Sequence, residues 1–407
     1  MDDTNDTILT SVTSTDNNDE VDDDLIATKD NQTNESESKE ERENKKDTAP
    51  DKNNQSNSDN GDSKQNESAN PNINIKLNRS PLKMVKPANI TDNKNKATFD
   101  LDVKSIYDRI ETEIKKRIAG KLDVIKLMFV AMIANGHVLL EGAPGVAKTT
   151  MTKALAETVQ ASFGRIQGTP DLMFKDIVGY TYVDDNNQLQ VKKGPIFSNI
   201  LLIDELNRAP PRTTTSLLES LEERQVTMGD STIPLPKPFI AMATQNPLNV
   251  EGTTPLPKVL ADRFLMRIAV DYPSMEEEQQ MLRLKQSEEK TTINKVISIK
   301  DVLEMQEIVK KVVLPEPVLK YITEIVGATR TDIHVVMGGS PRSEISFMQC
   351  GKALALIEGR NEVTFDDIKY LAKPVLSHRI TVRSTGAVGV NGIIDGIIAN
   401  IPTDDIK

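Results

Sequence analysis

A stretch with two glycines, residues 142–149, constrains the fold of this 407-residue chain more than any other segment. It reads Gly-Ala-Pro-Gly-Val-Ala-Lys-Thr, follows a short apolar run at residues 137–140, and precedes a predicted helix at residues 149–159. Glycines in such a loop let backbone amides approach an anion, and the positive end of the helix points at the same anion. The order of strand, loop and helix therefore predicts a phosphate-binding loop.

The loop also has side chains suited to a nucleotide and a magnesium ion. Lys148 can reach the β- and γ-phosphates of ATP, and the hydroxyl of Thr149 can bind Mg²⁺. One residue departs from the usual pattern, since Ala147 stands where a glycine normally precedes the lysine. The alternative is a glycine turn that happens to precede a helix. The residues predicted to hold the nucleotide are Gly142, Ala143, Pro144, Gly145, Val146, Ala147, Lys148, Thr149 and Thr150.

A second motif supplies two carboxylates. The apolar run at residues 200–203 predicts a buried strand, and Asp204 and Glu205 follow it directly. Asp204 is predicted to hold the Mg²⁺ shell, and Glu205 to orient and polarise the attacking water. Alone, such a run is structural more often than catalytic. Because Asp204 lies 55 residues after Thr149, behind a phosphate loop, the two motifs together predict ATP binding.

The remaining pattern predicts an α/β domain followed by a helical one. Continuous apolar runs such as residues 200–203 and 239–243 are typical of buried parallel strands, and helical segments lie between them. We expect a P-loop core with a parallel sheet at residues 99–273 and a smaller helical lid at residues 274–407. The predicted helices are 103–118, 122–134, 149–159, 275–289, 299–313, 317–331, 341–358 and 365–371, the last with a capping box at residues 364–367.

The first 98 residues differ from the rest in composition. Every Phe and Tyr lies at or beyond Phe99, and the chain has no Trp. A polar segment without aromatic residues buries too little apolar area to fold, so residues 1–98 are predicted to be a disordered acidic tail. The tail has 21 acidic and 13 basic residues, against 40 and 37 in the remainder. The remainder is thus nearly neutral, which disfavours binding to a nucleic-acid backbone.

The sequence shows no sign of export. Its single cysteine, Cys350, lies in an apolar helical pattern, so we expect a core thiol and a reducing compartment. The N-terminus lacks the basic and apolar parts of a signal peptide, and the apolar runs are far shorter than the ~20 residues that span a bilayer. We therefore expect a cytoplasmic protein without membrane insertion. His137, His334 and His378 lack metal-ligand spacing and are predicted to be structural.

A series of further motifs follows in order along the chain. They are Arg165-Ile166-Gln167-Gly168-Thr169-Pro170-Asp171, Gly194-Pro195-Ile196-Phe197, Asp204-Glu205-Leu206-Asn207-Arg208-Ala209-Pro210-Pro211, Leu217-Leu218-Glu219, Glu222-Glu223-Arg224-Gln225-Val226-Thr227, Ala243-Thr244-Gln245-Asn246-Pro247, Glu251-Gly252-Thr253, Leu260-Ala261-Asp262-Arg263-Phe264, Ser340-Pro341-Arg342, Leu376-Ser377-His378-Arg379 and Ile401-Pro402. Together they resemble the MoxR family of AAA+ ATPases over residues 99–402. That family commonly has alanine where Ala147 stands, so the departure becomes part of the resemblance.

The resemblance implies roles for further residues. Asn246 corresponds to sensor 1, whose amide can bond the γ-phosphate and the attacking water, unless it merely satisfies its own turn. Arg263 corresponds to an arginine finger for a neighbouring subunit's γ-phosphate, the alternative being an ion pair with Asp262. Arg342 corresponds to sensor 2, which closes the lid on the phosphates, unless its role is purely structural. Arg208 either projects across a subunit interface or caps a helix entrance.

The resemblance also implies an assembly and a task. Such a protein would be a homo-hexameric ATP hydrolase that remodels or activates client complexes with a separate von Willebrand factor A domain protein. Two predicted hairpins, within residues 171–193 and at residues 225–235, match family inserts that face the pore or substrate, unless they are solvent-exposed decorations. Two other functions stay open: a nucleotide-gated binding module, disfavoured by Glu205 and Arg263, and a DNA-associated motor, disfavoured by charge.

Overall fold

The structure, a computed structural model, describes residues 101–229, 231–246, 252–286, 292–383 and 389–403, without the side chain of Leu189. The predicted tail at residues 1–98 lies outside these ranges. Within them, no helix is both long enough and apolar enough to cross a lipid bilayer.

The strands are named in chain order. They are β1 (Val138–Gly142), β2 (Val159–Gln160), β3 (Phe163–Gln167), β4 (Gly179–Val183), β5 (Leu189–Lys193), β6 (Ile200–Asp204), β7 (Gln225–Met228), β8 (Ser231–Pro234), β9 (Ile240–Gln245), β10 (Met266–Val270), β11 (Ile297–Ser298), β12 (Val335–Met337) and β13 (Thr381–Val382).

The helices are named in the same way. They are α1 (Val103–Lys115), α2 (Leu122–Ile133), α3 (Lys148–Thr158), α4 (Phe174–Val178), α5 (Pro211–Thr215), α6 (Leu217–Glu223), α7 (Lys258–Ala261), α8 (Met275–Gln286), α9 (Ile299–Lys311), α10 (Glu316–Thr331), α11 (Pro341–Ile357), α12 (Phe365–Leu376) and α13 (Val390–Asn400), with a 3₁₀ turn at Leu206–Arg208. Each helix predicted from periodicity is present, and α12 is five residues longer than predicted.

A five-stranded parallel sheet in the order β10-β1-β9-β6-β3 forms the centre of the α/β part. Its three central strands, β1, β9 and β6, are buried on both faces, because alternate residues enter two different apolar clusters. Leu139 and Ile203 belong to one cluster, whereas Leu140 and Met242 belong to the other. Burial on both faces explains why these strands have continuous rather than alternating apolar runs. The predicted α/β fold with a parallel sheet is confirmed.

The region that follows the sheet is helical, as predicted. Helices α9 to α12 pack together, and α2 from the N-terminal part contacts both α9 and α11, so one apolar cluster joins them. Two short strand pairs were not predicted: β12 with β13, and β11 with β2. Strands of two or three residues are too short for a hydrophobic pattern to reveal. The division at residue 273 stays a prediction.

Both predicted hairpins are present. Strands β4 and β5 pair antiparallel, and so do β7 and β8. In the first hairpin, Tyr180 and Tyr182 are exposed, with ring centroids 6.2 Å apart. The hairpins therefore exist as elements, and their orientation toward a pore or a substrate stays a prediction.

Candidate active site

The phosphate loop connects the carboxyl end of β1 to the first residue of α3. Gly142 must be glycine, because an added Cβ would lie 2.2 Å from the carbonyl oxygen of Val270 on β10. Gly145 and Ala147 have left-handed backbones, with φ of 87° and 64°. That conformation costs a non-glycine residue about 1–2 kcal/mol, so the alanine at position 147 carries backbone strain.

Lys148 lies buried at the start of α3, facing oxygen atoms. Its Nζ donates to Asn246 Oδ1 at 2.8 Å, to Gln245 O at 3.1 Å and to Ala143 O at 3.2 Å, and it also contacts Gly142 O. Burial lowers the pKa of Lys148, while the negative charges of nearby carboxylates act in the opposite direction. The ammonium group is thus held beside the phosphate loop by four oxygen acceptors.

Asp204 ends β6 and accepts three hydrogen bonds. Its Oδ1 accepts from Thr149 Oγ1 and from Thr244 Oγ1, both at 2.8 Å, and its Oδ2 accepts from Arg165 at 3.0 Å. Burial raises the pKa of Asp204, but these hydrogen bonds outweigh burial and hold the pKa below its usual value. Asp204 is therefore ionised, and it lies beside the hydroxyl predicted to share its metal ion.

Glu205 follows Asp204 in a left-handed conformation, with φ of 52°. Its backbone N–H donates to Thr244 Oγ1 at 2.8 Å, so one threonine orients both acidic residues. The carboxylate accepts from Asn246 Nδ2 at 3.3 Å and lies 3.0 Å from Arg208 Nε. Strained backbone at a functional carboxylate is a recurrent feature of active sites.

Asn246 joins the predicted nucleotide-binding Lys148 to the predicted catalytic Glu205. Its Oδ1 accepts from Lys148 and its Nδ2 donates to Glu205, so a single amide bridges the cation and the carboxylate. Asn207 in turn donates to Asn246 O at 3.0 Å and accepts from Asn246 N at 3.3 Å. The predicted sensor-1 amide thus contacts the site itself, and Asn207 holds its main chain in place.

Arg263 and Arg342 lie together in a different place. Arg263 is 2.5 Å from Glu222 Oε2, and Arg342 donates to Glu222 Oε1 at 2.8 Å. Arg342 is also 3.4 Å from Asp262, whereas the ion-pair partner of Arg263 is Glu222 and not the Asp262 of the alternative interpretation. Both arginines line a cleft of about 630 Å³ between the α/β part and the lid. None of the residues 142–149, Asp204 or Glu205 lines that cleft.

The cleft lies at the amino ends of the strands, whereas the phosphate loop lies at their carboxyl ends. His137 immediately precedes β1, and Arg263 lies three residues before Met266, which pairs with the first residue of β1. A five-residue strand spans about 16 Å at ~3.3 Å per residue, which exceeds the reach of an arginine side chain. The structure therefore separates the predicted site residues into two groups, one at the carboxyl ends and one at the amino ends of the strands.

Sequence reasoning missed three residues that support the site. Thr244 orients Asp204 and Glu205, Arg165 pairs with Asp204, and Glu222 receives both arginines of the cleft. Thr244 is the first polar residue after the apolar run of β9, which was the available signal. Arg165 and Glu222 stand in two of the family motifs, but their contacts were not predictable locally, because their partners lie 39 to 120 residues away.

The histidines and the cysteine have structural surroundings. His137 and His378 are buried and contact the main-chain oxygens of Leu221 and Phe264. Cys350 is free and buried, and burial raises the pKa of its thiol to about 12. Such a thiol carries no thiolate at neutral pH, so the prediction of a core cysteine is confirmed.

Comparison with known proteins places this architecture in a family. The model of the ATPase family associated with various cellular activities (AAA) matches residues 137–266, and the AAA lid domain matches residues 327–392. A crystal structure from Cytophaga hutchinsonii, described as a candidate ATPase, is 36% identical, with a TM-score of 0.68 over 74% of this chain and 95% of that chain.

Two curated relatives cover most of the same region. The uncharacterised protein YeaC of Bacillus subtilis is 42% identical over 287 residues, which is 70% of this chain and 90% of the relative. Chaperone MoxR1 of Mycobacterium tuberculosis is 38% identical over 285 residues, which is 68% of this chain and 75% of the relative. With the phosphate loop, the paired carboxylates and the helical lid in place, the chain belongs to the MoxR family of AAA+ ATPases.

Proposed function

We propose that this chain hydrolyses ATP at the boundary between neighbouring copies in a ring, and uses the cycle to remodel partner proteins. One observation carries the proposal. The Asn246 amide joins Lys148 to Glu205 at the carboxyl ends of the strands, while Arg263 lies at their amino ends. A single copy thus holds a phosphate site and an arginine donor that cannot meet each other. Two copies in head-to-tail contact complete one site.

The residues at the carboxyl edge fit ATP with Mg²⁺. Residues 142–150 would hold the phosphates, with Lys148 neutralising the β- and γ-phosphate charge. Thr149 and Asp204 offer hard oxygen atoms 2.8 Å apart, which suit Mg²⁺. When bound, the metal ion supplies further neutralisation of charge on the phosphates. Glu205, oriented by Asn246 and Thr244, would position the water that attacks the γ-phosphate.

The arginine cleft supports a mechanism in which one copy presents a guanidinium group to the nucleotide of the next copy. Arg263 would approach the γ-phosphate held by the next copy and neutralise the charge that develops during phosphoryl transfer. Arg342 was expected to close the lid on the phosphates, without a choice between copies. Its contact with Glu222, beside Arg263, favours action on the neighbouring copy's nucleotide. A heterologous contact of this kind generates a ring when its rotation closes, and the family resemblance suggests that it closes as a homo-hexamer.

The remodelling role draws on the relatives. The Mycobacterium tuberculosis relative is named a chaperone, which supports chaperone-like action on a client complex. The family resemblance further suggests a separate von Willebrand factor A domain protein as partner, and the cytoplasm as the location. Capture by the full-length Glu205→Gln protein in the presence of ATP would test this role, because a non-hydrolysing ring should retain its client.

The first prediction separates binding from hydrolysis. Lys148→Ala should abolish most ATP binding, because it removes the only side-chain cation in the phosphate loop, whereas Glu205→Gln should bind ATP normally and lose hydrolysis. Fluorescent-nucleotide titration and phosphate release measure the two effects. Lys153→Ala, on the same helix, serves as the control and should behave like wild type. Equal loss of ATP binding in both site variants would contradict the assigned roles.

The second prediction concerns Arg263. Arg263→Ala should reduce turnover by ~10³–10⁵ while ATP affinity stays unchanged, since arginine fingers act on the transition state. Wild-type specific activity should also rise with protein concentration as copies assemble. Phosphate release alongside light scattering measures both. Constant specific activity in a protein that is demonstrably monomeric would exclude the intersubunit mechanism.

A further inference from the structure

Glu222 is the carboxylate that two cleft arginines share. Each of its oxygens takes one guanidinium group, with Oε2 at 2.5 Å from Arg263 and Oε1 at 2.8 Å from Arg342. Arg263 comes from the α/β part and Arg342 from the first turn of the lid helix α11. Two guanidinium groups this close would repel one another without an intervening negative charge. Glu222 thus holds two cations from different parts of the chain side by side.

Hydrogen bonds hold the chain on both sides of Glu222. The main-chain oxygen of Leu221, one residue before it, contacts His137 Nε2 at 2.9 Å. Arg224, two residues after it, donates to Asn135 O at 2.5 Å and also to Phe239 O. The segment is therefore fastened to the chain just before β1 and just before β9. These are the strands whose other ends carry the phosphate loop and Asn246.

The cleft also has polar atoms that remain without partners inside this copy. In the part of the chain that the structure describes, Arg263 Nε and Ser340 Oγ are buried without a hydrogen-bond partner, and both residues line the cleft. Buried donors without acceptors are costly, so a site that leaves them in place is suited to an incoming acceptor. Phosphate oxygens of a neighbouring copy's nucleotide have the required chemistry.

We infer that Glu222 is a positioning residue that holds Arg263 and Arg342 as one unit, presented to the nucleotide of the neighbouring copy. The inference rests on the proposed function, because it needs an intersubunit site. In this role Glu222 acts through the two arginines that it pairs with. Its loss leaves the phosphate site of its own copy intact and weakens the site of the next copy.

A subunit-mixing experiment tests this assignment with full-length proteins. Glu222→Gln keeps the side-chain shape but removes the charge and places an amide donor against an arginine. Its turnover should fall at least tenfold, with ATP affinity within twofold of wild type. Mixing it in equal amounts with Glu205→Gln should restore about a quarter of wild-type turnover, because a random ring then contains interfaces with an intact phosphate site and intact arginines. A mixture of Arg263→Ala with Glu205→Gln should recover similarly, whereas Glu222→Gln with Arg263→Ala should stay inactive.

Glu223→Gln is the matched control, because Glu223 is the exposed neighbour and contacts Gln225. It should retain wild-type turnover and melting temperature. Full turnover of Glu222→Gln would overturn the inference and leave the proposed function standing. Recovery with Arg263→Ala but not with Glu222→Gln would also overturn it, since Glu222 would then act within its own copy. If neither mixture recovers, the intersubunit site and the inference both fall.

Discussion

His137 shows how one buried side chain fixes both its position and its protonation state. The N–H of Ala241 donates to Nδ1 at 3.0 Å, so Nδ1 is unprotonated and Nε2–H donates to Leu221 O. Burial and the positive charge of Arg224 lower the pKa of His137 to about 3. The native fold therefore requires the neutral imidazole, and that imidazole holds the residue next to Glu222.

This protonation state predicts a pH dependence of stability. The folded pKa of about 3 lies below the ordinary value of 6.5. Between these values the unfolded chain takes up a proton that the folded chain does not, so stability is complete above pH 6.5 and falls as the pH decreases. The slope from one such group approaches about 1.4 kcal/mol per pH unit. Burial also lowers the pKa of His378, so this histidine too reduces the stability of the folded chain as the pH decreases.

Urea unfolding between pH 7.5 and pH 5 measures this effect. His137→Gln should unfold at lower urea at neutral pH, yet lose less stability on acidification than wild type, because one titrating group is gone. His334→Gln, at an exposed position, is the matched control for the substitution itself. An unchanged pH profile in His137→Gln would show that this histidine does not control acid stability.

At the scale of elements, α12 begins at a predicted capping box and ends close to the residue through which the lid contacts the α/β part. Thr364 accepts from the N–H of Asp367, and the Asp367 carboxylate accepts from the Thr364 N–H at 2.8 Å, so the predicted box is confirmed. Arg360 donates to both oxygens of Asp367, at 2.8 and 2.6 Å. The start of the helix is thus fixed by the sequence around it. Its far end leads into Arg379, which bonds the segment before β10.

Removing the cap should cost a modest and measurable stability. Thr364→Ala should lower the free energy of unfolding by about 1 kcal/mol, because the N–H of Asp367 loses its acceptor. Thr364→Ser is the matched control and should retain most of that stability, since serine caps equally well. Urea unfolding followed by circular dichroism measures the difference. Equal stability of wild type and Thr364→Ala would mean that Arg360 alone fixes the start of α12.

At the scale of the whole molecule, buried Arg379 joins the lid to the α/β part. Its guanidinium donates to Asp262 Oδ1 at 2.9 Å, to Phe264 O at 2.8 Å and to Leu265 O at 3.2 Å. Burial lowers the pKa of Arg379, and the Asp262 carboxylate acts against that shift. Because Asp262 and Phe264 flank Arg263, the lid directly supports the segment that carries the proposed finger. Direct hydrogen bonds therefore join the lid to the segment that contains Arg263.

Breaking this connection should destabilise the whole protein. Arg379→Met keeps an unbranched apolar stem but removes the guanidinium that bonds Asp262, Phe264 O and Leu265 O, which should cost about 3–5 kcal/mol. Arg383→Met, at an exposed position four residues later, should stay within about 0.5 kcal/mol of wild type. Calorimetric and urea unfolding measure both. A small loss in Arg379→Met would show that apolar packing alone holds the lid.

The sequence by itself determined the features that depend on local pattern. The phosphate loop, the pair Asp204 and Glu205, the order of strands and helices, and the capping box at Thr364 each follow from residues that are close along the chain. Periodicity and motif spacing are local properties, so they predict elements and the loops between consecutive elements. The parallel sheet followed because alternating strands and helices allow few other arrangements.

Only the tertiary structure decided which distant residues meet. Glu222 and Arg342 are 120 positions apart and Asp262 and Arg379 are 117 apart, and no sequence pattern pairs them. Arg263 and Arg342 carry the same motif signals whether they face their own phosphate loop or a neighbour's. The sheet separates both arginines from the loop of their own copy, because the loop lies at the carboxyl ends of the strands and the arginines at their amino ends. The distance between two residues across a sheet depends on how the whole chain packs, and local sequence patterns do not predict that packing.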